Sequence, residues 1–179
     1  MNLDISPAAL LIFALLWFFD GDGIYAAALP AVAVHEAGHA LFLRLAGLKI
    51  RRLSFGLAGL EMDYCGRLHG AQGALAIGAG PLFGLIYGCL AFSDNAYLSL
   101  SGGISLALSF FNLLPVLPLD GGRLLELAAG ERGRDISRGI SLFLAAGGFW
   151  LLLTNGWISL FAMGLWLAWW NCRGIFGPR

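Results

Sequence analysis

The chain reads as an all-α polytopic membrane protein of about six transmembrane helices, with a small membrane-associated β-hairpin after the second. Three observations predict this. Of its 179 residues, 59% are hydrophobic and only 12% charged, against about 25% charged in soluble domains. Apolar runs punctuated by short polar stretches recur along the whole length. Lys and Arg gather at one set of run ends, while the turns at 20–23, 93–96 and 155–156 carry none, a bias that orients helices in a bilayer. Residues 1–179 fit a single transmembrane domain with no room for a soluble module.

The first run, Ile5 to Phe19, ends in the hydrated turn Asp20-Gly21-Asp22-Gly23. Ala26-Ala27-Ala28 resembles a processing site, but Asp4 stands where a signal peptide has a basic start, so a retained helix is expected. Trp17, Phe18 and Phe19 suit the aromatic belt of a membrane interface. The second run, Ile24 to Ala46, is expected to kink at Pro30 and to admit a close neighbour at Gly38.

From Lys49 to Leu68 the period changes. Leu53, Phe55 and Leu57, then Leu60, Met62 and Tyr64, alternate with smaller or polar residues, and Gly56 and Gly59 flank a bend. This is hairpin periodicity. His69, in the loop beyond, reads as solvated. The third span covers about Ala71–Phe92, and Gly80-Pro81 is expected to interrupt its hydrogen-bond ladder. A fourth begins near Tyr97 and runs into Asn112-Leu113-Leu114-Pro115-Val116-Leu117-Pro118-Leu119-Asp120-Gly121-Gly122. Two prolines three residues apart cannot continue a helix, which leaves Asp120 in or beside an unwound stretch. Arg123 to Arg138 reads as a solvated connector with a helical start. Gly139–Thr154 and Trp157–Cys172 are the last two spans, with Trp166, Trp169 and Trp170 as interface anchors.

The chemistry concentrates in His35-Glu36-Ala37-Gly38-His39. Residues four apart share one helix face, so His35 and His39 can present ring nitrogens to one Zn²⁺. Glu36, about 100° further round, is placed to take a proton from a metal-bound water whose pKa zinc lowers to about 7. Core histidines satisfied by backbone carbonyls are the plainer explanation. Ionisable groups inside an apolar span are expensive, however, and point to function. His39 lies about 10 Å and His35 about 16 Å from the helix end at 1.5 Å per residue, so the metal is expected below the membrane surface but short of its midplane. The missing ligand is best sought in the unwound stretch at Asp120, since irregular backbone at membrane depth survives only inside protein or beside a watery cavity.

The hairpin has an evident use beside such a site, because an extended peptide can add to its edge; a plain connector is the equal alternative. Zero formal net charge argues against a nucleic-acid partner. Cys65, Cys89 and Cys172 lack C-x-x-C spacing and read as small interface residues.

The pair of motifs, His35-Glu36-x-x-His39 and Asn112-x-x-Pro115-x-x-Pro118-x-Asp120-Gly121, resembles the site-2 protease family of intramembrane zinc metalloproteases. The likeness is greatest to the compact bacterial branch that includes the sporulation protease processing a pro-sigma factor. It extends from the first span to about Arg123; beyond that the last two spans match only in being apolar. The resemblance implies Zn²⁺ held by His35, His39 and Asp120, with Glu36 as general base and then proton donor. Asn112 would lie near the site, holding substrate or the oxyanion. The Lys49–Tyr64 hairpin would be a membrane-associated ribbon on which Phe55, Gly56 and Leu57 dock a substrate strand. It further implies a transmembrane or membrane-tethered protein substrate and a multi-pass protein of the bacterial cytoplasmic membrane. The Lys and Arg bias, read by the positive-inside rule, is expected to place both termini and the active-site mouth in the cytoplasm. Relatives often carry Asn where this chain has Gly84, which puts a substrate clamp on that helix in doubt, and neither a PDZ nor a CBS module fits within the chain. Two other functions compete: a metal transporter, which has no need of Glu36 or of a ribbon, and a silent scaffold, against which the intact Glu36 speaks.

Overall fold

The computed structural model describes residues 2–56, 59–65 and 70–176. Its backbone is mostly helical and divides into two compact units, Met1–Phe110 and Phe111–Arg179.

The first unit opens with strand β1 (Asn2–Ile5) and helix α1 (Pro7–Phe18). Pro7 supplies a fixed φ at a position whose N–H needs no partner. Helix α2 (Ile24–Leu45) follows the turn, and Asp20 caps its start by accepting the N–H groups of Tyr25 and Ala26 at 2.9 and 3.0 Å. Strands β2 (Lys49–Gly56) and β3 (Gly59–Cys65) form the expected antiparallel hairpin. Helix α3 (Gly70–Gly88) continues as a short 3-10 turn over Cys89–Phe92, and α4 (Ala96–Asn112) runs two residues past the unit's end at Phe110.

Small residues let these helices approach. A side chain at Gly38 of α2 would place its Cβ 2.6 Å from the carbonyl oxygen of Ala79 in α3, and one at Gly102 of α4 would meet the backbone of Ala91 at 2.2 Å. Along α4, Ser101, Ser105 and Ser109 repeat every fourth residue and are wholly buried. Ser101 donates to the carbonyl of Ala27 at 2.7 Å and Ser105 to that of Gly84 at 2.8 Å. Where lipid provides no hydrophobic drive between helices, such close packing and hydrogen bonding hold them together.

The second unit runs through an irregular stretch, 113–119, into α5 (Asp120–Ala129), α6 (Glu131–Asn155) and α7 (Ile158–Phe176). Val116, Leu119 and Leu167 form its core, with Phe111, Leu114, Ile140, Leu144 and Trp166 packed around them.

Several expectations need correction. The ribbon is a three-stranded sheet in the order β1-β2-β3, because β1 pairs in parallel with Arg52–Phe55. Asp4 of β1 also pairs with Arg52, and that hydrogen bond raises the guanidinium pKa. The stretch Arg123–Arg138 is helical apart from the break at Gly130, whose φ is +58°. Its charges are spent along the helix surfaces: Arg134 pairs with Glu126 at 3.2 Å and with Glu131, and Arg138 with Asp135 at 2.9 Å. Pro81 does not interrupt α3, which runs through it.

Three helices among the described residues are long and apolar enough to cross a membrane: Ile24–Leu45, Gly70–Phe92 and Glu131–Asn155. The apolar segment Ile158–Cys172 is shorter. A full crossing takes about 20 residues, whereas α1 has 12 and α4 has 17. Six spans are therefore more than length and composition establish.

Candidate metal centre

The spacing of His35 and His39 on the continuous α2 helix brings their rings together. Their centroids lie 5.0 Å apart, and the two Nε2 atoms face each other at 3.3 Å. His39 Nδ1 lies 2.9 Å from the carbonyl oxygen of Ala76 in α3. A carbonyl can only accept, so His39 carries its proton on Nδ1 and, when neutral, turns a lone pair on Nε2 toward His35. A ring anchored at one nitrogen by a backbone carbonyl is the usual support of a metal-binding histidine. Two nitrogens bound to one tetrahedral Zn²⁺ at about 2.0–2.1 Å stand about 3.3–3.4 Å apart. The His35–His39 separation of 3.3 Å matches that spacing.

Helix α3 is shaped to receive these rings. A Cβ at Gly80 would fall 2.1 Å from His39 Nε2, so only glycine leaves the imidazole its place. At Gly84 a Cβ would lie 2.2 Å from Ser109 Oγ and 3.6 Å from His35 Nδ1. The absence of an Asn at that position thus has a physical reason: the buried serine face of α4 already occupies the space. His35 is 4% exposed, while Glu36 and His39 are half-buried.

Asp120 is the first residue of α5, 6% exposed, and follows directly on the irregular stretch. The two glycines behind it are obligatory. A Cβ at Gly121 would strike the carbonyl oxygen of Leu113 at 2.2 Å, and one at Gly122 would strike the backbone nitrogen of Leu117 at 2.3 Å. The loop therefore lies directly on the first turn of α5. Asn112 is the last residue of α4 and half-buried.

The docking residues fare differently. Phe55 is opposite Leu60 on one side and Ile5 on the other, so β2 offers no open edge there; the sheet's outer edges belong to β1 and β3. This corrects the expectation of an edge at Phe55. Gly56 pairs with Gly59, and Leu57 lies outside the described residues, as does His69.

Sequence reasoning missed the supporting groups, namely the Ala76 carbonyl, Gly80 and the α4 serines. The serines did leave a signal, since polar residues at every fourth position of an apolar run mark one helix face.

Known proteins share both the fold and the sequence pattern. The chain superposes on the site-2 protease from Methanocaldococcus jannaschii with a TM-score of 0.70 and 22% identity, over 97% of this chain and 91% of that one. The two chains thus share one fold. Residues 93–154, which include Asn112 and Asp120 but not the histidine motif, match the profile of Peptidase family M50. A Synechocystis sp. protein provisionally named as a zinc metalloprotease is 32% identical over 146 residues, 73% of this chain and 38% of its own length. Rip3 of Mycobacterium tuberculosis, with the same provisional designation, is 28% identical over 87% of this chain and 44% of its own length. This chain accordingly spans about two fifths of the length of these curated relatives. The resemblance to the site-2 proteases, peptidase family M50, is borne out in sequence and in fold.

Proposed function

We propose that this chain is the catalytic core of an intramembrane zinc metalloendopeptidase. It would hydrolyse a peptide bond in or near the transmembrane segment of a membrane-tethered protein, such as a sigma-factor precursor or an anti-sigma factor. The observation that carries this reading is the His35–His39 pair, with facing Nε2 atoms 3.3 Å apart and one ring anchored on Ala76. Asp120 is assigned as the third protein ligand, which with His35 and His39 would give two imidazoles and a carboxylate, the composition zinc accepts in catalytic sites.

Zinc, when bound, supplies Lewis acidity and lowers the pKa of a coordinated water to about 7. The remaining work falls to the chain. Glu36 takes the proton from the attacking water and delivers it to the leaving amine, so the acid–base cycle closes on one carboxylate. Asn112 is assigned to the substrate, its amide donating to the scissile carbonyl oxygen as charge develops there. His39 is kept in one tautomer by Ala76. An extended substrate would add to the outer edge of β3, since the β2 side is taken by β1.

In this reading residues 1–179 act as one transmembrane metalloprotease domain, without a PDZ or CBS module inside it. Helices α1, α2, α3, α4, α6 and α7 make six spans of a bacterial cytoplasmic membrane. The distribution of Lys and Arg supports an orientation with both termini and the active-site mouth on the cytoplasmic side. The test is cleavage of a membrane-tethered reporter by wild type and by Glu36→Gln. The variant is expected to keep its zinc and lose about 10²–10⁴-fold in rate. Undiminished cleavage by Glu36→Gln rules the mechanism out.

A further inference from the structure

Resting on the assignment of Asp120 as a ligand, we propose that Ser137 and Asn171, in helices that carry no motif, are positioning residues for the Asp120 loop. Leu117 lies three residues before Asp120, in backbone that is neither helix nor strand. Both of its peptide groups are held by side chains from distant parts of the chain. Its N–H donates to Ser137 Oγ at 2.7 Å, and its carbonyl accepts from Asn171 Nδ2 at 2.6 Å. Ser137 in turn donates to Asn171 Oδ1 at 2.8 Å, and the Asn171 amide also donates to the Leu167 carbonyl at 2.8 Å. The Asn171 backbone carbonyl accepts from Arg138 Nε at 3.0 Å. Ser137 is 0% and Asn171 7% exposed, so the clamp is largely shielded from solvent, and the polar atoms of both side chains are used.

The clamp reaches Asp120 through a stiff path. Pro118 fixes its own φ. Leu119 is buried in the core, and its N–H donates to the Val116 carbonyl at 3.0 Å. The first turn of α5 rests on the same peptide, since a Cβ at Gly122 would lie 2.3 Å from the Leu117 nitrogen. A shift at Leu117 therefore cannot be absorbed before the carboxylate.

Buried backbone groups need partners in any fold, so the test must separate positioning from general support. Zinc affinity of the full chain in detergent is measured by chelator competition, and the ligand field by the visible spectrum of the Co²⁺-loaded protein. Circular dichroism reports folding. Asn171→Ala is expected to weaken zinc binding about 10-fold and to change the cobalt spectrum. In an Asp120→Ala background the same substitution is expected to leave affinity unchanged, because the group it positions is gone. Wild-type affinity and spectrum in Asn171→Ala, or an equal loss in both backgrounds, overturns the proposal while Asp120 stands as a ligand. Asp120→Ala binding zinc as tightly as wild type overturns the ligand assignment, and this proposal with it. Should Asn171→Ala fail to fold, Ser137→Ala removes one hydroxyl from the same clamp and is read through the same cycle.

Discussion

His35 and His39 owe their mutual placement to the repeat of an unbroken helix, whereas Asp120 owes its placement to a loop pinned from outside. In α2 the four-residue spacing does most of the work, and one carbonyl and one glycine of α3 complete it. Around Asp120 no repeat is available. Two prolines, two glycines and a serine–asparagine clamp replace it. The helix-borne pair is therefore set by its own helix and the one neighbour packed on it. The loop-borne carboxylate depends on residues 17 and 51 positions further along the chain, Ser137 and Asn171.

That contrast can be broken at the helix first. Gly80→Ala places a methyl where His39 Nε2 lies, and zinc affinity is expected to fall by about 100-fold, the upper range for groups that support a ligand. Helix content should be retained. Chelator competition checks it, and unchanged affinity would show that the ring can be held from elsewhere. A smaller effect is expected at the loop. Gly122→Ala forces backbone apart at Leu117 and should destabilise the chain by about 1–3 kcal/mol through overpacking, read as a lowered unfolding midpoint in detergent. Smallest is Ser101→Ala, which removes the bond to the Ala27 carbonyl and the one shared with the Tyr87 hydroxyl. It should cost about 0.6 kcal/mol for each, the mean for hydrogen bonds between membrane helices, and leave zinc binding untouched. A metal-binding defect in that variant would mean the helix-borne half is less self-contained than its geometry implies.

Much of this was legible in the chain because local periods write it there. The 3.6-residue repeat announced α2 and its histidine face, the two-residue repeat announced β2 and β3, and Pro115 and Pro118 announced the irregular stretch before Asp120. What escaped depends on partners far away in sequence. Strand β1 is four residues long and has meaning only beside Arg52–Phe55, so Phe55 read as an edge when it is central. The charges of 123–138 read as solvation, but at spacings of three they pair along helix surfaces. Pro81 read as a break because proline removes a helical bond; packing against α2 and α4 at Gly80 and Gly84 sustains the helix through it. Asn171 and Ser137 are single polar residues in apolar runs, and nothing in their neighbours names Leu117 as the peptide they grip.

The parallel pairing of Asn2–Ile5 with Arg52–Phe55 closes α1 and α2 into a circuit. Whatever distance the polypeptide travels outward through one of these helices it must recover through the other, since its point of departure and its point of return are stitched together. With 12 residues in α1 against 22 in α2, at 1.5 Å per residue, the segments flanking α1 must make up the difference for the circuit to close.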